Sequence, residues 1–221
     1  MSNHKNSTHE FLPGDVTFHL PGPAGKLEVL TSMPANNVKP IVGVICHPHP
    51  LFGGTMHNKV VYTIARAFKE LGLPSVRFNF RGVGTSEGKY DEGKGETEDL
   101  LAILQWVKQV KPEATIWLAG FSFGSYVATR AAMHWPTQQL ISVAPPVVNF
   151  NFAELAPDCP WLIVQGDADE IVDPNAVFAW IATLPKPPEV IRMQGASHFF
   201  HGELIELRQA LITSLLPKIN K

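Results

Sequence analysis

Short apolar runs rich in β-branched residues alternate along this chain with segments of three- and four-residue apolar spacing, and Gly or Pro punctuates nearly every change. Strands that are apolar on both faces need cover on both faces, so the alternation predicts an α/β fold: a mostly parallel twisted sheet with helices on each side. Strands are expected at Ile41 to Cys46, Ser75 to Phe80, Thr115 to Ala119, Leu140 to Val143, Trp161 to Gln165 and Val190 to Met193. Ahead of them, Asp15 to Leu20 and Lys26 to Thr31, joined through Pro21-Gly-Pro-Ala-Gly25, read as an antiparallel N-terminal hairpin at the sheet edge. Helices are expected at His57 to Leu71, Glu96 to Val110, Ser125 to Trp135, Pro174 to Leu184 and Glu203 to Leu215. Pro136 and Pro185 follow two of the ends, and Asp173-Pro174 is a start signal, a side-chain cap before a proline at the first helical position. The stretch Ala144 to Pro160 holds four prolines and little helical spacing, which leaves room for a minimal lid or none.

A chain of 221 residues fits one domain, taken as 11–221 behind a flexible polar tail over 1–10. The tail lacks the apolar core of a signal peptide, and no apolar run approaches the roughly 18 residues needed to span a bilayer. A cytoplasmic protein is the resulting expectation. With 17% charged residues and a net charge of −2, the surface has no field that would draw nucleic acid or an anionic membrane. The expected partner is a small molecule, and monomer and homodimer both fit. Cys46 and Cys159 adjoin apolar runs, which suits buried free thiols better than a disulfide. Trp106, Trp117, Trp161 and Trp180 are read as core, as are Phe121, Phe123, Phe199 and Phe200 unless they wall a cleft.

Chemistry concentrates at Gly120-Phe121-Ser122-Phe123-Gly124, between the strand Thr115 to Ala119 and a helix. A bare G-x-S-x-G arises by chance in roughly one chain in ten of this length, so its context carries the argument. A serine on a sharp strand-to-helix turn is a nucleophile elbow, where the flanking glycines remove side chains from a crowded turn. A serine hydroxyl is a weak nucleophile and needs a base, which this arrangement takes from later in the chain. His198, in Gly195-Ala-Ser-His-Phe199 between the last strand and the final helix, is the candidate; His201 is expected to face solvent or cap a turn near the helix start. An acid should follow the strand Trp161 to Gln165, where Asp167, Asp169 and Asp173 compete, Asp173 as the helix cap. Local chemistry does not separate Asp167 from Asp169. Phe123, directly after the serine, supplies one backbone N–H for an oxyanion. The second belongs in His47-Pro48-His49-Pro50-Leu51-Phe52-Gly53-Gly54, where His47, His49 and residues from Leu51 onward can donate and prolines cannot.

These motifs together resemble the α/β-hydrolase superfamily. Gly166, Asp169 and Val172 match its G-x-x-D-x-x-V segment, so the resemblance implies Asp169 as the acid. His47-Pro48 stands where that superfamily carries His-Gly, which implies His49 as the second oxyanion donor, with proline as a departure. Phe78-Asn-Phe-Arg81-Gly-Val-Gly84-Thr-Ser86-Glu-Gly88 resembles its D-x-R-G-x-G-x-S-x-G stretch, with Asn79 in place of Asp. His47-Pro-His-Pro with Gly53-Gly-Thr-Met56 and Asn58-Lys59-Val-Val61 is similar to a group of small lidless bacterial hydrolases related to the dienelactone hydrolases. The resemblance implies a carboxylesterase-type serine hydrolase acting on a small acyl substrate without cofactor or metal. Thioesterase, peptidase and non-catalytic binding protein are the alternatives on the same fold.

Two other readings compete. His47, His49, His57, His198 and His201 would have to converge to bind a metal, and no H-E-x-x-H or Cys pair accompanies them. Gly82-Val-Gly84 begins a nucleotide-binding fingerprint, but Glu87 occupies the third glycine position.

Overall fold

The computed structural model describes residues 11–219, so the tail expected over 1–10 lies outside the described residues. The hairpin is longer than expected: strands β1 (Gly14–Gly22) and β2 (Gly25–Met33) pair along their full length and turn through Pro23 and Ala24. The later strands are β3 (Ile41–Cys46), β4 (Ser75–Phe78), β5 (Thr115–Phe121), β6 (Gln139–Val143), β7 (Trp161–Gly166) and β8 (Glu189–Met193). They form one sheet in the order β1-β2-β4-β3-β5-β6-β7-β8, antiparallel at β1/β2 and β2/β4 and parallel throughout the rest. The fold class is therefore the α/β arrangement expected, with its antiparallel edge hairpin.

Helices α1 (Lys59–Glu70), α2 (Lys94–Val110), α3 (Phe123–Ala132), α4 (Pro174–Ile181) and α5 (Leu204–Leu215) cover the sheet. Alternation along each strand divides the core in two. Val42, Val44, Ile116, Leu118 and Ile163 meet α2 and α3 through Leu100, Ile103, Leu104 and Val127. Ile41, Ile45, Trp117, Ala119, Leu162 and Val164 point the other way, onto Ile64 and Phe68 of α1 and Leu207 and Leu211 of α5. β3 to β7 are buried at almost every position, as parallel strands covered on both faces should be. Trp117 is the largest fully buried side chain, and truncating it to Ala would cost about 3–5 kcal/mol.

Several boundaries shift for local reasons. α1 starts at Lys59, two residues later than His57, because the Asn58 side chain caps it by accepting from the Val60 and Val61 N–H groups. Asp173 caps α4 as expected, accepting from Asn175 N–H at 2.9 Å. β4 stops at Phe78, two residues before the expected Phe80, because Asn79 N–H turns to Glu28 O and Phe80 N–H to the His47 ring. α3 starts at Phe123 and ends at Ala132, not at Ser125 and Trp135. Trp180 is a correction to the core list: it is half-buried, at the margin of the core, packed against Phe152 and Trp161. Phe199 is likewise half-buried, and Cys159 is half-buried where a buried thiol was expected; both cysteines are free. The stretch 144–160 contains no helix or strand, only turns that bring Phe150 and Phe152 against Tyr126. Among the described residues no helix is long and apolar enough to cross a membrane.

Candidate active site

The carboxyl ends of β3, β5, β7 and β8 carry the candidate residues, which is where parallel α/β sheets place their ligands. Ser122 follows β5 with φ 52° and ψ −123°, a backbone conformation that side chains rarely adopt. Its N–H is tied to Val143 O of β6 at 2.8 Å, so the strained turn is held by the neighbouring strand. The two flanking glycines are required by close approach. A Cβ at Gly120 would overlap the Gly124 carbonyl, and one at Gly124 would overlap the carbonyl oxygens of Cys46 and His47. Helix α3 thus begins directly at Phe123, two residues earlier than the spacing predicts, because the serine itself is the turn.

Three side chains meet there. His198 Nε2 lies 3.1 Å from Ser122 Oγ, and His198 Nδ1 lies 2.8 Å from Asp169 Oδ2. The carboxylate can only accept, so Nδ1 carries the proton and Nε2 is left bare toward the serine hydroxyl. Asp169 has every lone-pair direction used: Oδ1 accepts from the N–H groups of Ile171 (2.9 Å) and Val172 (2.8 Å), and Oδ2 accepts from His198 and from Gln165 Nε2 (3.1 Å). Burial alone would raise its pKa, but the bonds from His198, Val172 and Ile171 outweigh burial and hold the carboxyl below its ordinary value. A hydroxyl beside an imidazole that is oriented by an ionised carboxylate can lose its proton as it attacks a carbonyl.

The rival acid sits elsewhere. Asp167 accepts from Gly195 N–H at 2.6 Å and from Arg192 Nε at 3.2 Å, and makes no bond to His198. Glu170, which the sequence does not single out, accepts from His198 N–H at 3.0 Å. One loop, 167–170, therefore grips the histidine loop at three points through three carboxylates. Gln165 was equally invisible, since only its contact with Asp169 distinguishes it from another buried strand residue. His201 is exposed, in the turn ahead of α5.

The peptide N–H of Phe123 opens α3 and that of His49 precedes a short 3-10 helix, Pro50–Phe52; among the described residues neither has an acceptor. His47 is fully buried and spends both ring nitrogens on the backbone. Its Nδ1–H donates to Pro48 O at 2.7 Å, and its Nε2 accepts from Phe80 N–H at 3.1 Å. With the nitrogens of His49 and His198 also engaged, these histidines do not converge on a metal, and among the described residues no group of three His, Cys, Asp or Glu could hold one. The R-G-x-G stretch proves structural: Arg81 grips Asp99 of α2 at 2.8 Å with both groups buried. Asn79 accepts from Met56 N–H through Oδ1 and donates to Glu28 Oε2 through Nδ2, a donor role an ionised Asp could not fill.

A cavity of about 360 Å³ opens above Ser122, walled by Pro48, His49, Phe52, Ile171, His198 and Phe199. A larger hollow of about 700 Å³ lies at the opposite ends of β5 and β6, beside Trp135 and Gln138, far from this chemistry. Size alone does not locate the site.

Comparison with known proteins agrees with the geometry. The family model described as serine aminopeptidase, S33, matches residues 44–156. An α/β serine hydrolase homologue from Coxiella burnetii has 53% identity and a TM-score of 0.91, over 93% of this chain and 100% of its own. An α/β serine hydrolase without lid from Xanthomonas campestris has 49% identity and a TM-score of 0.91, over 94% of this chain and 96% of its own. An uncharacterized protein of Rickettsia prowazekii is 36% identical over 201 residues, 86% of this chain and 84% of its own length. The chain therefore belongs to the serine aminopeptidase S33 family and is a lidless member of the α/β-hydrolase superfamily.

Proposed function

We propose that this hydrolase cleaves a small, uncharged carboxylic ester through an acyl-enzyme on Ser122. The observation that carries the reading is the continuous chain Ser122 Oγ, His198 and Asp169, linked at 3.1 and 2.8 Å. In this reading Ser122 attacks the acyl carbon while His198 Nε2 takes its proton, and Asp169 stabilises the imidazolium that forms. The N–H groups of Phe123 and His49 receive the oxyanion. His198 returns the proton to the leaving alcohol, and water repeats the sequence on the acyl-enzyme.

The cavity lining favours an ester over the substrate that the family's description suggests. An aminopeptidase must hold an α-ammonium, which needs an anionic partner once it leaves water. Among the described residues no Asp or Glu lines the cavity around Ser122; its walls are apolar apart from Asn58, His49, Ser122 and His198. Of the two acids bonded to His198, Asp169 is saturated and buried behind the imidazole, and Glu170 is held by the His198 peptide N–H and does not line the cavity. The test is a direct competition of 4-nitrophenyl butyrate with alanine 4-nitroanilide. Ester turnover at least ~10³-fold faster in kcat/KM, scaled to what one unpaired buried charge costs, is the expected result. Preferred cleavage of the aminoacyl anilide would overturn the ester reading while leaving the serine chemistry intact.

A further inference from the structure

The two residues whose N–H groups the proposed mechanism uses pack their side chains on each other. The rings of His49 and Phe123 have centroids 5.0 Å apart. Tyr90 lies against both, at 4.9 Å from the His49 ring and 5.8 Å from Phe123, and Phe150 packs on Phe123 at 5.3 Å. A side-chain contact therefore joins the residues of the two backbone donors, beside the close backbone approach of Gly124 to Cys46 and His47.

The polar edge of His49 is fixed as well. Its Nδ1 accepts from Leu51 N–H at 3.2 Å, closing the start of the 3-10 helix, and its Nε2 lies 3.1 Å from Tyr90 Oη. A nitrogen that accepts from a peptide N–H is bare, so the neutral ring carries its proton on Nε2 and donates it to the Tyr90 oxygen. Tyr90 is anchored independently of His49: the next residues, Asp91 and Gly93, donate their N–H groups to the two carboxylate oxygens of Glu96 at 2.9 and 2.7 Å. Protonating His49 on Nδ1 would break the Leu51 bond, and burial, which holds its pKa below the ordinary value, disfavours that proton.

We infer that Tyr90 is a positioning residue for the oxyanion donors, holding the His49 ring against Phe123 so that both peptide N–H groups point at one spot. The inference rests on the serine-hydrolase reading above. Donors aimed at a developing charge act on the transition state far more than on the neutral ester, and loosening such a geometry by about an ångström can cost up to ~100-fold in rate. Tyr90→Phe keeps the ring packing and deletes the hydroxyl. It should lower kcat by about 10-fold with KM within about two-fold. Affinity for a trifluoromethyl ketone, which forms the oxyanion in the site, should fall by the same factor as kcat/KM.

His49→Asn retains an acceptor for Leu51 N–H but is too short to reach Tyr90. The Tyr90→Phe/His49→Asn double variant should therefore cost no more than the larger single change, since both remove one interaction. Nitrogen-15 spectra of the whole protein should show His49 with Nδ1 bare and Nε2 protonated at pH 7. An Nδ1–H tautomer, additive losses in the cycle, or an unchanged kcat in Tyr90→Phe would overturn the inference. A wild-type chain inert toward every ester sinks the hydrolase reading and this inference with it; an active wild type beside an equally active Tyr90→Phe sinks the inference alone.

Discussion

His47 makes stability depend on pH in a window separate from the carboxylates. Burial depresses its pKa from 6.5 to about 3, opposed only by the bond from Nδ1–H to Pro48 O. A second proton would have to sit on Nε2, which already accepts from Phe80 N–H at 3.1 Å. The folded state thus stays neutral while the unfolded chain titrates normally. A depressed pKa contributes stability that is fully present above the unfolded value and is lost as pH falls toward the folded one. With 6.5 and about 3 as the two values, the loss between pH 7 and pH 4.5 is about 2.5 kcal/mol. Asp169 acts lower down: its carboxyl is held below its ordinary value, so its contribution is fully present above the ordinary carboxylate range and is lost only as pH falls through and below it. His47→Gln keeps an acceptor for Phe80 N–H and removes the titration. Urea unfolding followed by tryptophan fluorescence should give a wild-type advantage over this variant that shrinks by about 2.5 kcal/mol from pH 7 to pH 4.5. An advantage constant within about 0.5 kcal/mol would show that His47 protonates in the fold, and the burial argument would fail.

The three carboxylates on the 167–170 loop should separate by role. Asp169→Asn favours the wrong imidazole tautomer and should lower kcat on the order of 10⁴-fold, whereas Asp167→Asn and Glu170→Gln, at carboxylates that bond loop N–H groups and, for Asp167, Arg192 but neither ring nitrogen of His198, should cost about ten-fold or less; kcat on one ester at matched thermal stability decides it. The cavity of about 360 Å³ ends at Phe52, which is 86% exposed, and Ile171, 52% exposed, so long acyl chains find no covered wall. Values of kcat/KM should peak for acyl groups of roughly two to six carbons, since each CH₂ contributes about 0.8 kcal/mol only where it is buried; a steady rise to twelve carbons would contradict the open site. EDTA should leave turnover unchanged, because Ser122 and His198 supply nucleophile and base; activity lost to EDTA and restored by zinc would require a different mechanism.

Much of the architecture was legible because parallel strands buried on both faces leave unbroken apolar runs, as at Ile41–Cys46 and Trp161–Gly166. The trio Ser122, Asp169 and His198 could be named because Ser122 and Asp169 stand just past such runs and His198 lies between the last strand and the final helix, and the structure brings the three into contact. Choosing between Asp167 and Asp169 needed the resemblance, since which of two neighbouring carboxylates meets an imidazole 29 residues on depends on how two loops dock. Glu170, Gln165 and Tyr90 carry no local signal at all: each acquires its role from a partner distant in sequence or from a position at a strand end. The misplaced start of α3 has a related cause. Spacing shows where a helix repeats, not that a serine with positive φ will launch it two residues early.

The most direct test of the central claim is covalent. A fluorophosphonate ester reacts with a serine only where a base removes the hydroxyl proton and an oxyanion hole receives the phosphoryl oxygen. Intact mass followed by peptide mapping should find one adduct on Ser122 of the wild-type chain, none on Ser122→Ala, and an ester hydrolysis rate in that variant lower by roughly 10⁴-fold or more. An unlabelled wild type, or a Ser122→Ala chain that still turns over ester at the wild-type rate, would contradict the account.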